Sequence, residues 1–183
     1  MNREEALSSI KDNVESDNLI KHMFAVEAVM RALARRFGGD EGEWGLAGLL
    51  HDIDVELTEG DMSNHSKLGA DLVKYLGASE AVAHAILCHN ERHGVPCETM
   101  MDKALFSADS LTGLITAAVL VRPDKNIANL EAKSVKKRFK EKSFAAGASR
   151  ERIARCSEMG LELDKFIEIG VEAMKGIAGS LGL

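Results

Sequence analysis

Residues 46–56 read LAGLLHDIDVE, an apolar run that ends in an adjacent imidazole and carboxylate, His51 and Asp52. Unpaired ionisable groups are costly to bury, so the pair needs a partner. More such groups recur at helical spacing. Over residues 18–36, one face at 100° per residue collects Leu19, His22, Met23, Val26, Val29, Met30 and Leu33, so His22 belongs to the apolar stripe. Over 101–121, Leu105, Ala108, Asp109, Thr112, Thr116 and Val119 share a face, which turns a carboxylate inward. From Ser79 onward, Val82, Ile86, His89 and His93 align at i, i+4, i+7 and i+11, whereas His84 falls on the opposite face, towards solvent. One inward histidine is ordinarily a hydrogen-bonded core residue. A lone buried aspartate is rare, and several such groups together favour one shared explanation. A divalent metal supplies the positive charge that lets neutral imidazoles and carboxylates be buried side by side.

The segments that must position these groups read almost entirely as helix. Helices are expected at about 3–15, 18–36 with a glycine stop at "GGD", and 41–50, which ends in the His51–Asp52 pair. The stretch "DIDVELTEGDMSN" reads as an acidic loop. Further helices follow from His65 to near Gly77, from Ser79 to "RHGVP", and over about 101–121. Last come a lysine-rich helix near 130–140, the linker "SFAAGAS", and helices near 150–159 and 163–179. No repeat or domain boundary interrupts the pattern, so the expected fold class is an all-α single-domain helical bundle. Its site-bearing core lies at about 18–120, with a C-terminal helical extension at 126–183.

Composition sets the outer bounds. At 183 residues the chain fits one domain with a real core. Its 45% hydrophobic and 28% charged residues are those of an ordinary globular protein, and 4% aromatics with two prolines favour helix over sheet. The N-terminus lacks a signal peptide's apolar region, and the longest apolar stretch, 104–121, carries Asp109 and four hydroxyl residues, which speaks against a membrane span. Cys88, Cys97 and Cys156 form no CxxC pair, so reduced thiols and a cytoplasmic location are expected. The net charge of −6 disfavours nucleic acid as a partner. Lys133, Lys136, Lys137 and Lys140 make a cationic stripe, but no aromatics are interleaved with it, and a solvated face is the simpler reading.

The order His22, His51–Asp52, Asp109 resembles that of the HD superfamily of metal-dependent phosphohydrolases. The contexts match as well: "IKHMFAVEAVMRALARRFG", "LAGLLHDID", "NHSKLGADLV", "AILCHNE" and "KALFSADSLTGLI" resemble the segments that carry the family's metal ligands. The likeness covers about residues 18–120, and the C-terminal part, with "KSVKKRFKEKSFAAG", looks like that of predicted hydrolases related to the HDIG group. The resemblance implies an HD-type helical bundle. It also implies a first metal site of His22, His51, Asp52 and Asp109, with Asp52 bridging to a second ion held by His65 and His89. Two departures stand out. Asn90 replaces a frequent second histidine, and Asp54, Val55 and Glu56 follow the pair where a glycine and a phosphate-facing lysine are common.

Mixed imidazole and carboxylate donors suit one or two ions of Mn²⁺, Fe, Co²⁺, Ni²⁺ or Zn²⁺, with Mg²⁺ less favoured. The implied reaction is hydrolysis of a phosphate ester or anhydride of a nucleotide or other small phosphorylated molecule, by metal-activated water, with Asp52 and His51 as catalytic residues. Lys67, Arg92 and His93 are the nearest candidates for binding substrate, each with a bland alternative as a solvated or helix-capping residue. Two other readings stay open: an HD-fold di-iron oxygenase, compatible with the single histidine of His89–Asn90, and a non-catalytic metal-binding sensor. Oligomeric state has no signature in the sequence.

Overall fold

Polar caps set where the helices begin. A computed structural model describes residues 1–183. Ser16 accepts from Leu19 at the start of α2 (Asp17–Phe37), Asp40 from Glu43 at the start of α3 (Glu41–Leu50), and Ser79 from Val82 at the start of α5 (Glu80–Cys88). Thr99 and Asp102 form a reciprocal capping box on α6 (Met100–Leu120). Gly38 ends α2 in the left-handed region at φ 71°, as the "GGD" stop predicts. The remaining helices are α1 (Arg3–Asn13), α4 (Lys67–Tyr75), α7 (Ala132–Lys140), α8 (Arg150–Ala154), α9 (Leu163–Lys175) and α10 (Ala178–Leu181), and there is no strand. The all-α expectation holds.

Two helices organise the bundle. α2 packs on α3, α6 and α9, while α6 packs on α2, α5, α8 and α9. One continuous hydrophobic cluster joins them, reaching from Ala6 to Leu181, so the C-terminal helices share the core of the N-terminal ones. α6 is long and apolar enough to cross a membrane by length and composition, yet most of it is buried inside the bundle. Its apolarity is that of a core helix.

The expected helix from Ser79 to "RHGVP" stops earlier. α5 ends at Cys88, His89 is its C-cap, and residues 91–93 form a separate 3₁₀ turn. Asn90 is the cause. Its backbone is extended, its side-chain Nδ2 donates to the carbonyls of Met62 and His65, and its Oδ1 accepts from the Arg92 backbone amide. His93 therefore leaves the face of His89. The helix expected at 163–179 likewise breaks, at Gly176.

Candidate metal centre

Four imidazoles and two carboxylates converge from five stretches of chain. His22 comes from the middle of α2, His51 and Asp52 from the end of α3, His65 from the turn before α4, His89 from the C-cap of α5, and Asp109 from α6. The two oxygens of Asp52 face different ways. Oδ2 lies 3.2 Å from His51 Nε2 and 3.7 Å from His22 Nε2, whereas Oδ1 lies 3.5 Å from His65 Nε2 and 3.6 Å from His89 Nε2. Asp109 Oδ1 closes the first group at 3.1 Å from His22 Nε2 and 3.8 Å from His51 Nε2. Donors bound about 2.0–2.2 Å from one ion stand roughly 3.0–3.6 Å from each other, so these spacings suit coordination. Two donor groups, His22–His51–Asp109 and His51–Asp52–His89, are each tight enough to hold a metal.

The other ring nitrogen of each histidine fixes which atom points inward. Nδ1 of His51 donates to the Gly48 carbonyl, that of His89 to the Ile86 carbonyl, and that of His65 to Asp54 Oδ1 at 2.8 Å. His22 Nδ1 meets the Thr112 hydroxyl, which itself donates to the Asp109 carbonyl. A carbonyl or carboxylate only accepts, so Nδ1 carries the proton and Nε2 is left to bind.

Without a metal, protons and charge must be shared within the cluster. Burial alone would lower the His51 pKa, but the Asp52 and Asp109 carboxylates outweigh it and push it up to about 9. Burial opposes ionisation of both carboxylates, yet His51 and His89 hold Asp52, and His22, His51 and Arg152 hold Asp109, well below the usual carboxylate range. Burial pushes His89 below the ordinary imidazole value.

Asp52, His65, His89 and Asp109 line a cavity of about 320 Å³ together with Arg92 and Arg152. Arg152, from α8, was not legible in the sequence. Its Nη2 donates to Asp109 Oδ2 and to the His89 carbonyl, both at 2.9 Å, and its guanidinium stacks on Phe106, 4.5 Å from the ring centre. Nothing in "ASRERIA" separates it from Arg150, which clamps the carbonyls of the preceding loop. Arg92 lines the cavity. Lys67 does not: it is exposed and lines a different depression with Leu57, Asn64 and Asp71, because the turn through His65 starts α4 facing away. His93 is not among the cavity residues either; its Nε2 donates to the His65 carbonyl at 2.6 Å, bracing that turn. His84 is half-buried and paired with Asp102, not free in solvent.

The acidic residues after the pair are also spent locally. Asp54 is fully buried, accepting from His65, Ser66 and Gly69, and Glu56 points away to accept from the amides of Glu15 and Ser16. A ligand histidine needs an acceptor on its second nitrogen, and that requirement is the signal by which Asp54 could have been found.

Among known proteins, the chain is similar to ribonuclease Y of Oleidesulfovibrio alaskensis (32% identity over 139 residues), of Sulfurovum sp. (31% over 137) and of Lawsonia intracellularis (30% over 139). About three-quarters of this chain takes part, but it spans only about a quarter of the length of those relatives. No solved structure matches. The HD domain profile matches residues 19–137, which include every convergent histidine and aspartate, and the chain belongs to the HD domain family.

Proposed function

We propose that the protein is a metal-dependent phosphohydrolase that cleaves phosphodiesters, with single-stranded RNA as the foremost substrate. One observation carries the reading: a carboxylate, Asp52, whose two oxygens face two separate histidine pairs, in a cavity that two arginines also line. The HD family match and the ribonuclease relatives support a hydrolase, and the relatives bring RNA forward although the net charge of −6 disfavours it. Net charge describes the whole surface, whereas Arg92 and Arg152 put two cations on the cavity lining beside Asp52, Glu91 and Asp109.

His22, His51, Asp52 and Asp109 would hold one divalent ion, and His65, His89 and Asp52 a second. When bound, such ions supply a Lewis acid for a phosphoryl oxygen and lower the pKa of a water. The chain does the rest. Arg152 and Arg92 neutralise and orient the phosphate, which replaces the lysine that commonly follows the histidine–aspartate pair. Two of the four lysines of the α7 stripe are tied to acids, Lys133 to Glu131 and Lys136 to Asp164. That pairing keeps phosphate recognition near the cavity.

The test is elemental analysis of the purified protein, followed by hydrolysis assays on single-stranded RNA, a chromogenic phosphodiester and a phosphomonoester. Asp52→Ala is expected to lose bound metal and to lower turnover by roughly 10²-fold or more. Unchanged metal content and turnover in that variant would refute the mechanism. Cleavage of the small phosphodiester but not of RNA would keep the chemistry and remove the substrate.

A further inference from the structure

A second group of metal-binding side chains lies on another face of α5. His84 and Cys88 are one turn apart there, Asp102 stands in the first turn of α6, and Cys97 is in the loop between them. Donor atoms of His84, Cys88 and Asp102 lie within 4.8 Å of one another, and Cys97 Sγ is 3.4 Å from Cys88 Sγ. None of these four residues belongs to the histidine–aspartate centre.

Asp102 makes the group hard to read as ordinary packing. Its side chain is buried, and Oδ2 already accepts from the backbone amides of Glu98 and Thr99 and faces His84 Nδ1 at 3.1 Å. Oδ1 is buried with no hydrogen-bond partner at all. An unpaired buried carboxylate oxygen is costly, and nothing in the capping box requires it. The two thiols lie against each other, and each also reaches a backbone carbonyl, Cys88 Sγ that of Ala85 at 3.5 Å and Cys97 Sγ that of Cys88 at 3.7 Å. A cation held by His84, Cys88 and Asp102, with Cys97 brought in from beside Cys88, would satisfy these atoms together.

We propose that His84, Cys88, Cys97 and Asp102 form a structural zinc site, with Asp102 Oδ1 as the oxygen ligand. Two thiolates, an imidazole and a carboxylate make a four-coordinate shell of the kind zinc prefers over magnesium or manganese. Zinc–sulfur bonds of about 2.3 Å place two thiolates roughly 3.8 Å apart, so the observed 3.4 Å needs an opening of only a few tenths of an ångström. His84 and Cys97 are half-buried and give the ion a way in. Binding displaces a proton from each thiol, and no oxidant is needed. The ion would tie the end of α5 and the loop at 94–99 to the start of α6. That places a staple one residue before His89, on the opposite side of the chain from the hydrolytic centre. The inference does not depend on that centre being catalytic.

Cobalt substitution separates the two centres, because only this one contains sulfur. The full chain loaded with Co²⁺ is expected to show a thiolate-to-cobalt charge-transfer band. The band should survive in Asp52→Ala and disappear in Cys97→Ser, with loss of one metal equivalent in the latter. As a check that needs no variant, Zn²⁺ should protect Cys88 and Cys97 of the wild-type chain from alkylation while leaving the rate at Cys156 unchanged. Absence of the band, equal alkylation with and without Zn²⁺, or a Cys88–Cys97 disulfide in the purified protein would each overturn the proposal.

Discussion

Arg152 is the side chain on which substrate binding is expected to turn. It holds Asp109 and the His89 carbonyl from one guanidinium edge while its flat face rests on Phe106. An ammonium group offers a point charge and no rigid fork, so Arg152→Lys should recover little. We expect Arg152→Ala to lower kcat/KM for phosphodiester hydrolysis by roughly 10²-fold. Lys67→Ala should leave kinetics unchanged, since Lys67 opens on another surface. Steady-state assays on the two variants check both statements, and a large effect at Lys67 would mean that the cavity is not where substrate sits. At this scale the sequence was partly legible. His22 and Asp109 could be found because each interrupts an apolar helical stripe, and His51–Asp52 because the pair ends one. His65 sits in a turn-rich stretch with no period, so only the family resemblance pointed to it. Arg152 left no local trace, because its role is created by α8 packing across α6, a tertiary event.

Helix–helix distance is the next determinant. A methyl group on Gly48 would stand 2.9 Å from the backbone of Val26 and Glu27, so α3 meets α2 almost backbone to backbone. That approach brings His51 Nε2 to 3.2 Å from His22 Nε2. Gly48→Ala gains about 1 kcal/mol of helix propensity. Overpacking against rigid backbone costs roughly 1–3 kcal/mol, and no flexible side chain is there to yield. The expected net result is a lower thermal midpoint and weaker metal binding, measured by calorimetry and by metal titration; a variant that is more stable and binds metal normally would contradict it. Helix boundaries were legible to within a few residues where a cap or a glycine marks them, as for α2 and α3. They failed at α5, where the interrupter is Asn90. Asparagine is tolerated in helices, and only its bonds to Met62, His65 and Arg92 reveal that it ends this one.

Across the whole molecule, the buried centre couples fold stability to pH when metal is stripped away. His51 is raised from an ordinary 6.5 to about 9 in the fold, so the folded state binds more protons between those values and stability falls as pH rises through them. His89 is shifted the other way, so the unfolded state takes up more protons below about 6.5 and stability falls as pH drops there. The depressed Asp52 and Asp109 add to the loss in acid. Chelated protein should therefore be most stable near pH 6.5. Denaturant melts across the range check this; a monotonic rise from pH 5 to 9 would contradict it. Adding metal should flatten the alkaline decline, because the ion replaces the His51 proton.

The contact between His22 and Asp109 joins positions 87 residues apart. During refolding, no fragment lacking either end can offer the complete first set of donors, His22, His51, Asp52 and Asp109. Capture of that first ion thus becomes a clock for the final docking of α6, and a chain emerging from the ribosome lacks a complete pair of sites until that helix has arrived.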